Sequence, residues 1–181
     1  MPEQMSSILK QLVDNGALNT TRGTLGGNWA KFYDGHPEAC PDTSKPFFFA
    51  YGFGWSFDYS SNCKDRGRAV INFGLQVDCQ DAKNESKAST LWHQARLLFS
   101  TNGETVRLPG TYQLSENGTP YLEVENALIS DLGIFNPSLT GGSAPLIRSG
   151  KMIRYQARLQ FEFLVARAMP EIKTNSIIRK L

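Results

Sequence analysis

An alternation of aromatic and small residues is the feature that most constrains this chain. Across residues 47–59 every odd position is aromatic, while the even positions from 50 to 58 are small or acidic. Because successive side chains of a β-strand point to opposite faces, the pattern predicts a long strand with an aromatic ribbon on one face and a nearly bare backbone on the other. A second alternating run covers residues 152–168. The chain is therefore expected to be centred on a β-sheet.

Other patterns predict the elements around these strands. Ser6 and Ser7 precede apolar residues at helical spacing, and Asn15-Gly16 supplies a stop, so a short N-terminal helix is expected. Residues 68–78 alternate again as a hairpin partner of the first strand, and residues 86–99 have one apolar helical face. Short strands are expected at 106–108, 112–114 and 121–129, and loops rich in glycine and proline at 19–46 and 136–150.

Together these elements predict the α+β class, with an antiparallel or mixed β-sheet of long strands flanked by an N-terminal helix and a central helix. The 181 residues suit one domain, expected at 1–170 with the long loop at 19–46, followed by a C-terminal arm at 171–181. Trp29, Phe32 and Tyr33 are the expected anchors of that loop.

Composition narrows the classes of function. The formal net charge of +2 supplies no strong field for nucleic acid or an anionic membrane surface. No stretch approaches the roughly 20 apolar residues that span a bilayer, and no secretory signal pattern opens the chain, so we expect a soluble protein made in the cytoplasm. Cys40, Cys63 and Cys79 are too few and too scattered for a disulfide framework, and we expect them to stay reduced.

Patterns that would carry chemistry are weak. His36 and Cys40, with Cys63 and Cys79, have the side chains that zinc prefers, but they lack the paired spacing of a chelating motif. No nucleophile motif accompanies His36 or His93, and no glycine-rich loop has the spacing of a phosphate-binding motif. We therefore expect no catalytic residue, no metal and no cofactor, and the protein is not expected to be an enzyme.

The aromatic ribbon has two functional interpretations. Exposed rings can stack sugars or single-stranded bases, but such platforms are usually interleaved with basic residues, and residues 47–59 contain none. Burial in the subunit core or at an interface between subunits is the other explanation for so many large aromatic residues. The exposure of Trp55 in the isolated protein is expected to separate the two, because a stacking platform needs that ring accessible.

The order of elements resembles that of the tail-terminator, or neck-terminator, proteins of long-tailed bacteriophages. The likeness rests on residues 68–80 followed by the helix at 86–99, and on the closing strand at 152–168. The resemblance implies a structural virion protein, made in the host cytoplasm, whose hexameric ring stops growth of the tail tube and joins the tail to the head. It implies a tail tube or sheath protein and a head-side neck or connector protein as partners, with DNA passing through the lumen without specific binding.

Physical reasoning also favours assembly, because strands of this length have long edges that neighbouring subunits of a ring would cover. The candidate interface residues are Phe53, Trp55, Phe57, Arg154, Arg158 and Glu162, with Ile177, Ile178 and Arg179 in the arm. Core packing of the aromatic residues and solvation of the charged ones remain open as the other explanation. The alternative function is a binding module whose aromatic platform stacks carbohydrate or single-stranded nucleic acid.

Overall fold

The computed structural model describes residues 2–18, 29–57, 66–78, 82–116 and 118–164. Within these residues lie two α-helices, α1 (Pro2–Asp14) and α2 (Ala82–Leu98). The strands are β1 (Lys31–Asp34), β2 (Phe47–Phe57), β3 (Arg66–Asp78), β4 (Thr111–Glu116), β5 (Thr119–Glu125), β6 (Phe135–Thr140), β7 (Ile147–Ser149) and β8 (Met152–Leu164). Residues 171–181, which the sequence predicts to be an arm, lie outside the described ranges.

Six of the strands form one mixed sheet, in which the order is β1-β2-β3-β8-β6 and β7 also pairs with β8. β1 runs parallel to β2, and the other described pairings are antiparallel. β4 and β5 form a separate two-stranded hairpin. The predicted class is confirmed: the fold is α+β, with a mixed sheet of long strands, an N-terminal helix and a central helix.

The two longest strands, β3 and β8, define the inner face of the sheet. Each has 13 residues, and they pair along their whole length. Because opposed residues of antiparallel strands share a face, the odd-numbered residues of both strands point to the same side. Leu75 lies opposite Tyr155 there. This inner face carries the main hydrophobic core. Each of the two strands spans about 40 Å at 3.3 Å per residue.

α2 covers the inner face through one apolar stripe. The Trp92 ring stacks on Phe73 of β3 and on Tyr155 of β8, with centroid distances of 6.0 and 5.7 Å. The prediction of a helix over residues 86–99 is confirmed, although the helix begins earlier, at Ala82. The buried residues of the stripe are spaced by three and four positions: Ala88, Leu91, Trp92, Ala95 and Leu98.

α1 contributes a second apolar stripe to the same core. It begins at Pro2 rather than after the predicted Ser6-Ser7 cap, and proline is favoured in the first turn of a helix. It ends before Asn15 and Gly16 as predicted, and Gly16 has the positive φ, 89°, that commonly terminates a helix. Its buried residues are Met5, Ile8, Leu9, Leu12 and Val13.

Both predicted loops contain regular structure where they are described, so the predictions are wrong for those residues, and residues 19–28 lie outside the described ranges. The 136–150 region includes most of β6 and all of β7, because both pair with the edge of β8 that β3 leaves open. The described part of the 19–46 region includes β1 and a 3₁₀ turn, Pro37–Ala39. Trp29 and Phe32 pack against the main core, which confirms their role as anchors.

The predicted strands between the helices and β6 are only partly correct. Residues 106–108 form no strand, and an isolated bridge joins Arg107 to Leu128. The strand predicted at 121–129 is β5, Thr119–Glu125, and a 3₁₀ turn follows at Ile129–Leu132. β4 contains the strand predicted at 112–114.

A β-bulge in β2 overturns the prediction of one continuous aromatic ribbon. The pairing register with β3 shifts between Tyr51 and Gly54, so β2 holds one extra residue there. Gly52 has a φ of 68°, a value that bulges often require and that glycine adopts easily. After the bulge, Trp55 lies opposite Ala69 on the inner face, whereas the odd residues before the bulge lie on the other face. The aromatic rings are therefore divided between the two faces.

Candidate functional site

The outer face of the sheet, opposite the helices, has a covered half near residues 36–40. Three aromatic residues from the first part of β2 lie on this half: Phe47, Phe49 and Tyr51. Phe47 and Phe49 are buried. The His36 ring contacts the Tyr51 ring at a centroid distance of 4.6 Å, and the Tyr33 hydroxyl donates a hydrogen bond to the Ala39 carbonyl at 3.0 Å. These rings form a second, smaller apolar cluster within the subunit.

Arg154 is the buried charge of the covered half, and the residue is only 5% exposed. Its Nε donates to Gln76 Oε1 at 2.8 Å, and a terminal nitrogen lies 3.6 Å from a carboxylate oxygen of Glu38. A buried guanidinium needs such partners because its desolvation is costly. Arg154 therefore stabilises the packing of residues 36–40 on the sheet and offers little surface to another molecule.

The rest of the outer face, its open half, holds a shallow groove of about 540 Å³, which we call the polar groove because six of its eleven lining residues are polar. The groove crosses β2, β3, β8 and β6 beyond the bulge. A concave surface of this size with several polar groups can hold either a small polar ligand or side chains of another protein. The groove is lined by Gly54, Trp55, Ser56, Arg68, Ala69, Val70, Asn136, Ser138, Gln160, Phe161 and Glu162.

The open half has a weak positive charge among its described residues. Arg66, Arg68 and Arg158 are exposed on it. Arg66 lies 3.2 Å from a carboxylate oxygen of Glu162, and its guanidinium lies 5.4 Å from the centre of the Phe135 ring. Because both partners are partly exposed, the ion pair contributes little to stability. The Arg66–Glu162 pair therefore adds little to the stability of the fold, and the exposed Arg158 is suited to a contact with another molecule.

The second part of β2 forms an edge of the sheet. β1 pairs with β2 only from Phe47 to Ala50, and no other strand in the described part of the chain pairs with that side of β2. None of residues 51–57 is charged or proline, although such residues usually protect a strand edge. The Trp55 side chain is 55% exposed on this edge. An edge of this kind is a template for pairing with another strand.

The predicted interface residues fall in different environments. Phe53 is half-buried against the main core, and Phe57 ends β2, where its side chain is not among those described. Trp55 and Glu162 line the same polar groove, and Arg158 is exposed on the same strand as Glu162. Arg154 is buried, and Ile177, Ile178 and Arg179 lie outside the described residues. As contacts between subunits, all nine remain predictions.

The residues considered for zinc do not converge where they are described. His36 Nδ1 accepts a hydrogen bond from the Glu38 N–H at 3.4 Å, and Cys40 is a half-buried free thiol. Cys63 and Cys79 lie outside the described ranges. Within those ranges, no group of three or more His, Cys, Asp and Glu side chains could hold a metal ion.

A second groove, of about 820 Å³, lies between α1, the β4–β5 hairpin and the end of β8, and we call it the apolar groove. Three side chains on it are unusually exposed for their type: Tyr121 at 58%, Leu122 at 43% and Leu164 at 54%. Sequence reasoning missed this groove, because distant segments of the chain form its walls. Its other apolar lining residues include Met5, Ile8, Leu114, Leu132, Ile134, Phe135, Phe161 and Phe163.

No helix among the described residues is both long enough and apolar enough to cross a membrane. No protein-family model matches the chain, and no curated protein matches it in sequence. A functional interpretation therefore rests on the edge of β2, the open half of the outer face and the apolar groove.

Proposed function

We propose that this protein is a structural virion subunit that assembles with copies of itself into a hexameric ring, in the role of a bacteriophage tail or neck terminator. The ring caps the tail tube and joins it to the head. The observation that carries the proposal is the edge of β2 at residues 51–57, which has no charged or proline residue and lies beside the open half of the outer face.

The edge of β2 is the first proposed contact surface. A strand edge that carries no charged residue or proline pairs readily with strands of other chains, and an ordered assembly covers such an edge. Trp55 lies on this edge with 55% of its side chain exposed. Large aromatic side chains are enriched at the centres of interfaces, because they bury a large area with few rotatable bonds. A neighbouring subunit that covers the edge would also bury Trp55.

The open half of the outer face is the second proposed contact surface. Arg158 and Gln160 are exposed on β8 there, and Gln160 lines the polar groove. Charged and amide side chains suit the polar rim of an interface, which sets orientation more than affinity. The edge and this face are different surfaces of one subunit. A contact between them is heterologous, and heterologous contacts close into rings when the rotation allows it.

In the proposed ring, DNA passes through the lumen without specific binding. The small net charge of +2 suits passage, because a strongly basic wall would hold phosphates through counterion release. The two ends of the ring would contact a tail tube or sheath protein and a head-side neck or connector protein. The ring acts in the virion and its subunits are made in the host cytoplasm.

One observation favours a second function, the binding of carbohydrate or single-stranded nucleic acid on an aromatic platform. Trp55 is exposed at the edge of β2 beside the polar groove, and an accessible ring of this kind can stack a sugar or a base. The platform does not extend to Phe47 and Phe49, which are buried on the covered half. A single aromatic side chain supports less stacking than a continuous row of aromatic side chains would, so assembly is the better-supported function.

The molar mass in solution tests the proposal. Light scattering coupled to size exclusion should give the discrete mass of a hexamer of the 20.1 kDa subunit. Ser56→Lys places a charge on the edge of β2 and should shift the mass toward the monomer, whereas Ser89→Lys, the same change at an exposed position of α2, should not. A wild-type mass of 20.1 kDa at every concentration would contradict a ring in solution. Binding of oligosaccharides or oligonucleotides by that monomer would support the second function.

A further inference from the structure

The apolar groove gathers much of the exposed apolar surface of the described chain. Seven large apolar side chains are exposed among the described residues, and three of them, Tyr121, Leu122 and Leu164, line this groove. Below them lie Phe161 and Phe163, which belong to the main core. An exposed apolar surface that is continuous with the core usually marks a contact with another segment of protein.

The charge of the apolar groove identifies a complementary segment. Its lining includes the acids Glu3 and Asp131 and no lysine, arginine or histidine. Residues 165–181, which follow β8, carry four basic side chains and one acidic one. The same segment has large apolar residues at Val165, Met169, Ile172, Ile177, Ile178 and Leu181. An apolar, basic segment fits an apolar groove with an acidic rim.

The direction of β8 favours a groove on a different copy of the chain. Leu164 lies on the groove, and Ile177 is about 43 Å further along an extended chain, so the segment would have to fold back to place Ile177 in the groove of its own chain. Residues 165–169 contain none of the glycine, proline, asparagine, aspartate or serine residues that favour tight turns, and Pro170 is the first of these. At 3.3 Å per residue, an extended segment 165–181 would reach about 55 Å, which is enough to span to an adjacent subunit.

We propose that residues 165–181 of one copy dock in the apolar groove of the next copy. This inference rests on the proposed function, because it specifies a contact between ring subunits. Ile177 and Ile178 supply the apolar contact, and Arg179 approaches the acidic rim at Glu3. Since the segment and the groove are different surfaces, the contact is heterologous and can repeat around a ring.

A complementation experiment with two variants of the full chain tests this contact. Leu122→Lys impairs the groove and keeps the segment, whereas Ile178→Asp impairs the segment and keeps the groove. Each variant alone should lose the assembled mass and behave as a 20.1 kDa monomer with an unchanged far-ultraviolet circular dichroism spectrum. Mixed in equal amounts, the two should form a 1:1 complex, because the intact segment of one fits the intact groove of the other. Leu97→Lys, at a leucine of α2 that is 55% exposed, is the control and should assemble like the wild type.

The other outcomes separate this inference from the proposed ring. If both variants still form the wild-type assembly, the docking contact is wrong and the ring is unaffected. If each variant is monomeric but the mixture forms no complex, docking between copies is wrong. If the wild type is itself monomeric and both variants melt at a lower temperature, the segment occupies the groove of its own chain, and both proposals fail. If the wild type forms a dimer that depends on Leu122 and Ile178, the docking holds and the ring is wrong.

Discussion

The Phe49 ring lies directly over Gly74, its cross-strand partner in β3. A Cβ atom at position 74 would lie 2.3 Å from Phe49 Cζ and 2.3 Å from the carbonyl oxygen of Tyr155. One of these obstacles is backbone, so it cannot move aside as a flexible side chain could. The buried cluster of the covered half therefore depends on the absence of a side chain at position 74.

Gly74→Ala should lower the free energy of unfolding by about 3 kcal/mol, because the added methyl group overpacks a buried site. Urea unfolding followed by fluorescence measures the change. Gly54→Ala is a matched control on the adjacent strand, where the nearest atom to an added Cβ is the Val70 carbonyl oxygen at 4.0 Å. That control should change stability by no more than about 0.5 kcal/mol. Equal tolerance of both substitutions would show that the Phe49 ring does not occupy this space.

The Arg154–Gln76 hydrogen bond should contribute measurably to stability. Gln76→Leu removes the acceptor 2.8 Å from Arg154 Nε and should cost about 2 kcal/mol, because it leaves a buried charge with one fewer partner. The double variant Gln76→Leu/Arg154→Met should be less destabilised than the sum of the single variants by about 1 kcal/mol, since it removes both polar groups. Additive losses in urea unfolding would mean that the two side chains are not coupled.

Tyr112 should make the protein sensitive to alkaline pH. Burial raises the pKa of Tyr112 to about 12, against a smaller opposing effect from Asn15, and the hydroxyl donates to the Pro109 carbonyl at 2.9 Å. The unfolded value is about 10. Because the folded pKa is the higher one, this stabilisation is fully present below about pH 10 and is lost as the pH rises toward about 12.

Tyr112→Phe removes the ionisable hydroxyl, so the stability of this variant should fall less steeply than that of the wild type between about pH 10 and about pH 12. At neutral pH the variant should be less stable by about 1 kcal/mol, because the hydrogen bond is lost. Urea unfolding across the alkaline range measures both effects. Tyr121→Phe, at an exposed tyrosine, should keep the pH dependence of the wild type. A Tyr112→Phe profile parallel to that of the wild type would contradict the expected origin of the effect.

Arg158→Glu should weaken assembly without unfolding the subunit. Arg158 is exposed on the open half of the outer face, so charge reversal changes the surface offered to a neighbour and not the core. We expect the concentration at half-assembly, measured by light scattering, to rise at least about tenfold, which corresponds to about 1.4 kcal/mol per subunit contact. Lys151→Glu, a charge reversal at an exposed turn, is the control. An unchanged assembly would remove Arg158 from the interface.

The elements that could be predicted from sequence are those whose pattern is local and continuous. β3 and β8 alternate without interruption, and α2 keeps one apolar stripe, so each could be recognised from its own residues. β6 could not, because Pro137 and the neighbouring Gly141 and Gly142 argue against a strand. It forms because β8 has an open edge beside it, and that partner is distant in the sequence.

The candidate site was harder to predict, because its surfaces depend on pairing between distant residues. Gly52 fits the alternating pattern as one more small residue. Only the pairing register with β3 shows that the odd-numbered side chains of β2 switch to the other face of the sheet after it. The sequence predicts that Trp55 lies in a strand. It does not predict on which face of the sheet the Trp55 side chain lies. The burial of Arg154 likewise depends on Gln76 and Glu38, neither of which is near it in sequence.

The bulge at Gly52 also separates two kinds of evolutionary change within a single strand. Substitutions before it alter rings that are packed inside the subunit, whereas substitutions at residues 54–56 alter an exposed sheet edge. Variation in residues 54–56 can therefore change which molecules the protein binds while leaving the buried cluster intact. During evolution, a protein with this fold could gain new binding partners through substitutions in one short segment. Such substitutions would not require compensating changes in the core.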